Sequence, residues 1–194
     1  MFQSILNFDD SILRSANSII GQTNWFDALV AFLAVYLVYL VPVILLVLWF
    51  YSKQSKKVAI QAFLSGMVAW PALTYIISHY IWYRSRPFVA DIGLKEVIFH
   101  RPDYSFPSDH VTLLAALAAA TWMSGYRKLS WWLIALTIVT GIGRVMVGVH
   151  YPLDILAGVV LGVLAALIVK WLDGWLTAYL YNPIIKLMTK IKLA

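Results

Sequence analysis

"VAFLAVYLVYLVPVILLVLWFY", Val30 to Tyr51, runs for 22 residues without one charge. A helix of about 20 mostly apolar residues is long enough to cross the hydrocarbon core of a bilayer. The stretch therefore predicts a membrane span, and four others follow. Val58 to Trp82 holds His79 near its end, and Ser108 to Tyr126 opens on a polar cluster. Leu129 to Val149 contains Arg144, and Pro152 to Leu172 carries Asp154 in its first turn. The expected fold is all-α: a polytopic membrane bundle of about five transmembrane helices. The organisation is one domain over 1–194, with a transmembrane core at 30–172, and neither a soluble module nor a tandem repeat.

Composition agrees. Of 194 residues, 62% are hydrophobic and 12% charged, where soluble domains carry about 25% charge. The formal charge of +6 comes from basic residues scattered between apolar runs, which argues against nucleic acid as a partner. With no cysteine, neither a disulfide framework nor a thiolate metal site exists. The N-terminus lacks the basic start and unbroken apolar core of a cleaved signal peptide. Phe2, Ile5, Leu6, Ile12 and Leu13, interrupted by Asp9, Asp10 and Arg14, predict an amphipathic helix on the membrane interface over 1–22. The basic tail, 176–194, with Lys186, Lys190 and Lys192, reads as a second surface-lying or projecting helix.

Loop charge sets an orientation. Lys53, Lys56 and Lys57 follow the first span, Arg127 and Lys128 the third, and the tail lysines the fifth. One side, predicted cytoplasmic, collects them all. The opposite side receives the N-terminus, the loop from Tyr83 to Pro107 and eight of the nine acids, all but Asp173.

Ionisable groups inside spans are costly and mark function. Arg144 by itself is an arginine snorkelling to the interface, but His150 and Asp154 follow it at intervals of six and four. Pro152 suits the first position of a helix, so Asp154 falls in its first turn. It is there a helix-start residue or an orienter of the His150 imidazole, or both. In "FPSDH", Phe106 to His110, Ser108 is a good N-cap, and the helix N-terminus behind it is a ready anion site. Asp109 favours the helix dipole or tunes a histidine; His110 is an interfacial histidine or an acid. In "HYIWYRSRPF", the residue before proline avoids the helical region, which predicts a helix end near Arg86. On such a helix His79 and Arg86, seven apart, share a side, while Arg84 is rotated away as an ordinary interfacial cation. The planar fork of arginine suits phosphoryl oxygens. Of two histidines, one attacks phosphorus and the other delivers a proton. No carboxylate cluster or zinc-like histidine spacing suggests a metal, and no cofactor is expected.

These residues resemble the type-2 phosphatidic acid phosphatase superfamily, membrane lipid phosphatases related to bacterial acid phosphatases and vanadium haloperoxidases. Its pattern is K-x6-R-P, then P-S-G-H, then S-R-x5-H-x3-D. Arg86-Pro87, Pro107 to His110, and Arg144, His150 and Asp154 match it in order, and the five spans extend the match across most of the chain. The resemblance implies a helical core like that of the acid phosphatases and haloperoxidases, with the site at its outer mouth. It implies that His150 forms a phosphohistidine, Asp154 orients it, and His110 protonates the leaving group and then activates water. Arg86, Arg144, Ser108 and backbone N–H groups would hold the phosphoryl oxygens, without a metal.

Three positions depart from the pattern. His79 stands at the lysine, Gly143 at the serine before Arg144, and Asp109 at the usual glycine. A second "RP", Arg101-Pro102, has the wrong spacing from Lys95 and lies too near Pro107; Lys95, His100 and Arg101 read as solvated loop charges, with a polyanionic headgroup as the alternative partner. "PSDH" with "RSRPF" is similar to the branch acting on undecaprenyl pyrophosphate and associated with bacitracin resistance. The implied partners are a polyprenyl phosphate substrate and membrane lipids, in a bacterial cytoplasmic membrane. Phosphatidylglycerophosphate, phosphatidic acid and lipid A are other substrates of the same class. A lipid carrier is a different class, against which the lack of pseudo-symmetric halves argues. Gly158 and Gly162 form a GxxxG pair that serves the bundle or a dimer seam; the sequence does not reveal the oligomeric state.

Overall fold

The computed structural model describes residues 2–90, 93–98 and 100–191. Lys192 and Asp91, counted above among the sided charges, lie outside them. Helix α1 is Phe2–Asn17, α2 Asn24–Val35, α3 Leu40–Tyr51 and α4 Lys53–Met67. After the loop come α5 Asp109–Met123, α6 Arg127–Met146 and α7 Pro152–Trp171, then α8 Asp173–Leu176 and α9 Asn182–Lys190. Among the described residues no strand forms, and the protein is an all-helical, multi-pass membrane bundle.

Among the described residues three helices are long and apolar enough to cross a membrane: Lys53–Ile81, Arg127–Met146 and Pro152–Trp171. The opening stretch is not one straight span. Asn24–Val35 and Leu37–Tyr51 meet at a bend of 41°, so the first expected crossing is a broken pair beginning six residues earlier. The third, α5, has 15 residues, which at 1.5 Å rise gives roughly 22 Å. It is shorter than the others and lies at the centre, with Leu114, Ala116 and Leu117 almost wholly buried.

What allows α5 to sit there is α7. A Cβ on Gly162 would stand 2.6 Å from the Thr112 carbonyl oxygen and 2.7 Å from the Ala116 nitrogen. Only hydrogen fits between these two backbones, so the GxxxG pair is a seam inside the bundle. At Gly143 the added Cβ would meet the Ala34 backbone nitrogen at 3.2 Å. The close crossing of α6 and α2 accounts for glycine where the family pattern has serine.

Helices α4 and α6 begin, and α5 and α7 end, at the same end of the bundle. Lys53, Lys56, Lys57, Arg127 and Lys128 therefore gather there, where Lys57 pairs with Asp173 at 2.9 Å. The tail is not wholly projecting, for Tyr181 is buried against Ile60, Val169 and Leu176.

The opposite end is covered by α1. Asp9, Leu13 and Asn17, spaced one helical turn apart, are buried, whereas Ile5, Phe8 and Ile12 are exposed. The Asn17 side chain donates to the carbonyls of Lys95 and Met146 and accepts from the Lys95 N–H. Lys95, though exposed, donates from its ammonium to the Ile20 carbonyl at 2.5 Å.

Candidate active site

The long helix beginning at Lys53 stops at Ile81. It is π-helical over Val68–Thr74 and Ile77–Ile81, and Trp82 is already extended at φ −152°, ψ 104°. Both the widened turns and the early stop defeat the expected register between His79 and Arg86. His79 is exposed, its Nδ1 2.8 Å from the Ser78 hydroxyl and its ring stacked on Tyr75 at 4.0 Å. It makes no bond to Arg86, and its ring meets the Tyr104 ring edge-on at 5.4 Å.

In the extended segment after Trp82 residues alternate at a period of two, which brings Arg84 and Arg86 toward the same buried region. Ser85 bridges to Tyr104, and the Ser105 N–H donates to the Arg84 carbonyl at 2.7 Å. A cis Phe106–Pro107 bond follows, and the Ser108 N–H then donates to the Asp154 carbonyl at 3.1 Å. The loop is thus laced to the start of α7 just where it delivers "PSDH" to α5.

His150, almost wholly buried, lies at the convergence. Its Nδ1 is 2.8 Å from the Ser105 carbonyl oxygen, an acceptor, so Nδ1 carries the proton. Its Nε2 faces two donors, Arg86 Nη1 at 3.2 Å and Arg144 Nη2 at 3.1 Å. The Nε2 lone pair therefore points into a pocket of positive charge. Burial, then the charges of Arg144 and Arg86, hold His150 well below its ordinary value, so the imidazole is neutral at physiological pH.

Asp154 is close to His150 but is not its direct hydrogen-bond partner. Its Oδ2 lies 3.6 Å from Nδ1 and accepts instead from the Tyr151 N–H and the Ser105 hydroxyl. Its Oδ1 accepts from Arg84 at 3.0 Å. Arg84, expected as a surface cation, is thus largely enclosed beside the site.

Arg86 also donates from Nε to Asp103 at 2.6 Å and from Nη1 to the Val149 carbonyl at 3.0 Å. Arg144 Nη2 lies 3.1 Å from His100 Nε2. Burial and the charges of Arg86 and Arg144 lower His100 to about 4, which makes it a neutral acceptor rather than a solvated cation. Ser108 precedes α5, but its hydroxyl forms no cap bond. It is buried without a partner, as are Arg144 Nε and Asp109 Oδ1. Asp109 Oδ2 has a long contact, 3.5 Å, from the Tyr104 hydroxyl. His110 follows it in the first turn of α5. With Asp109 it lines a cavity of about 490 Å³, together with Tyr39, Phe63, Met67, Trp70 and Leu113.

Of the expected site residues, Arg86, Arg144, His150, Asp154, Ser108, Asp109 and His110 gather at one end of the bundle, and His79 does not join them. Arg84, Asp103, Ser105 and His100 were missed. The "RSR" doublet read at strand rather than helix period is the one signal that would have found Arg84.

A helical membrane bundle with a neutral histidine between two arginines defines a class. Residues 59–178 match the PAP2 superfamily, and the chain belongs to it. It is a hydrolase acting on lipid phosphate. It is similar to "Undecaprenyl-diphosphatase BcrC" of Bacillus subtilis (strain 168), 29% identical over 186 residues, covering 92% of this chain and 94% of that one. It is 32% identical over 172 residues to "Bacitracin transport permease protein BcrC" of Bacillus licheniformis, covering 87% and 81%. Among solved structures, the PAP2-type phosphatidylglycerolphosphate phosphatase of Bacillus subtilis shares the fold, with a TM-score of 0.67, 21% identity, and coverage of 88% and 87%.

Proposed function

We propose that this protein removes the terminal phosphate of undecaprenyl pyrophosphate by way of a phosphohistidine, with no metal in the reaction. The observation that carries the mechanism is the His150 imidazole, with its Nδ1 proton on the Ser105 carbonyl and its Nε2 facing Arg86 and Arg144. Nε2 attacks the terminal phosphorus, and the bond from that phosphorus to the bridging oxygen breaks. His110, protonated once the negative charge of the diphosphate is bound beside it, gives its added proton to that oxygen, releasing the lipid monophosphate. The neutral His110 then takes a proton from water, whose oxygen attacks the phosphohistidine and frees inorganic phosphate. The arginines neutralise charge on the phosphoryl oxygens as it redistributes. Ser108 and the first N–H groups of α5, which have no intrahelical acceptor, supply further donors.

The substrate assignment rests on the "PSDH" resemblance and the relatives named above. The apolar cavity behind Asp109 and His110 suits an isoprenoid tail entering laterally from the bilayer. The gathering of basic residues at the other end supports a site on the extracytoplasmic face of a bacterial inner membrane, with the C-terminus cytoplasmic.

The test is phosphate release in detergent with excess chelator, comparing undecaprenyl pyrophosphate, phosphatidylglycerophosphate and phosphatidic acid, with His150→Ala as control. Preference for the diphosphate, unaffected by chelator and lost in the variant, is expected. Preference for a glycerolipid overturns the substrate, and turnover by His150→Ala overturns the mechanism.

A further inference from the structure

Asp9 lies on the N-terminal helix, far in sequence from every other residue of the site, yet it is almost wholly buried. Its Oδ2 accepts from Arg84 Nη2 at 2.7 Å, and its Oδ1 accepts from the Leu153 N–H at 2.9 Å. Leu153 is in the first turn of α7, one residue before Asp154. Arg84 spans the two acids, with Nη2 on Asp9 and Nη1 on Asp154 Oδ1 at 3.0 Å. Its guanidinium lies over the Tyr151 ring, 3.5 Å from the centroid. The arginine has 11% of its side chain exposed, against 1% for Asp9 and 0% for Asp154. Asp154 and Asp9 are therefore two buried carboxylates sharing one counter-charge.

We infer that Asp9 and Arg84 form a positioning pair for the His150–Asp154 unit, and that the N-terminal helix is thereby a working part of the active site. Neither residue touches the phosphoryl pocket. A buried carboxylate needs both a counter-charge and hydrogen bonds on its remaining lone pairs. Arg84 gives Asp154 the first and fixes Oδ1, so that Oδ2 stays with Ser105 and Tyr151 beside the imidazole. Asp9 holds the second arm of Arg84 and fastens the opening turn of α7, which carries Asp154. The stack on Tyr151 keeps the guanidinium plane from turning. Two acids at fixed places require the planar fork; a lysine, being a point charge, can serve one of them. The proposal rests on His150 as the reacting group but not on the identity of the lipid, and it applies to whichever lipid phosphate is turned over.

The experiment compares the intact chain with Asp9→Asn, Arg84→Lys, Arg84→Gln and the double variant Asp9→Asn/Arg84→Gln. Asp10→Asn serves as the neighbouring control. Each is assayed in detergent for kcat and KM and for binding of orthovanadate, which probes the Arg86 and Arg144 pocket separately from turnover. Arg84→Gln is expected to lower kcat about 10²-fold, the scale of a small misplacement of a reacting group. KM and vanadate affinity should stay within about threefold. Arg84→Lys should recover part of the loss, and Asp9→Asn should lower kcat about tenfold alone but add little to Arg84→Gln, as residues acting through one path do. Asp10→Asn should match the intact chain. Full kcat in Arg84→Gln overturns the pair as positioning residues. Loss of vanadate binding alongside kcat also overturns it, since the pair then serves the fold. If His150→Ala retains turnover, the catalytic reading fails first and the pair with it. If that variant is inactive and Arg84→Gln is not, the pair alone fails.

Discussion

His150 Nδ1 stands 2.8 Å from the Ser105 carbonyl oxygen and 3.6 Å from Asp154 Oδ2. The backbone fixes the tautomer of this imidazole, and the acid supplies charge from just beyond hydrogen-bond range. Two roles that one carboxylate often combines are here divided between a carbonyl on a loop and a side chain on α7.

A graded response follows. Asp154→Asn keeps the tautomer but removes the charge that balances an imidazole acquiring a phosphoryl group, and kcat should fall about 10²-fold. Ser105→Ala keeps the carbonyl and deletes only the hydroxyl bond to Asp154. Its loss should be nearer tenfold, the worth of one charge-assisted hydrogen bond. Steady-state kinetics of the two variants check the order; equal losses would contradict the division of roles.

Arg86 and His79 separate in the same assay. Arg86→Ala removes a donor from the phosphoryl pocket and should lower kcat about 10²–10³-fold, as loss of a charge-stabilising group does. His79→Ala, stacked on Tyr75 away from that pocket, should stay within about threefold of the intact enzyme. A large loss in His79→Ala would mean that the ring swings toward the site during turnover.

Acid should destabilise the fold through His100. Its folded value is depressed to about 4 from 6.5, so below 6.5 the unfolded chain binds the proton more readily than the folded one. By linkage the contribution of the neutral ring is whole above 6.5 and declines as pH falls toward 4. The direction at His150 is the same. Thermal unfolding in detergent from pH 8 to pH 4 should show a falling midpoint below 6.5, with a shallower fall in His100→Gln. An identical slope in that variant would remove His100 as a cause.

Gly162→Ala should cost about 1–3 kcal/mol, the range for overpacking a close contact. The neighbours that the new methyl meets include backbone, the Thr112 oxygen and the Ala116 nitrogen, which cannot step aside as a side-chain tip can. Gly174→Ala, where no atom lies within 4 Å, is the matched control. The difference in unfolding midpoint between the two is the measurement, and equal midpoints would show that α5 and α7 can part without cost.

Hydropathy revealed the bundle, because burial in lipid is a property of composition over 20 residues. The arginine, serine and histidines of the site were legible because each sits at a helix end or inside a span, where a polar group stands out. The 41° break between Val35 and Leu37 was not, since no charge or glycine marks it. His79 was placed wrongly for a related reason. The proline at 87 sets the last residue at which a helix can end, not the one at which it does, and π-helical turns leave no trace in apolar spacing. Arg84, Asp9 and His100 were hidden because these partners lie 44 to 144 positions away, and only tertiary structure brings such groups together.

The Gly158–Gly162 face also sets a distance within the site. His110 rides on α5 and Asp154 on α7, and the two helices touch backbone to backbone across that face. Under the proposed mechanism, the gap that a phosphoryl group occupies between His110 and the His150–Asp154 unit is therefore gauged by hydrogen atoms rather than by side chains, which have rotamers to explore. A caliper made of main chain keeps its setting however the surrounding lipid shifts, and the protein holds its catalytic spacing by leaving two side chains out.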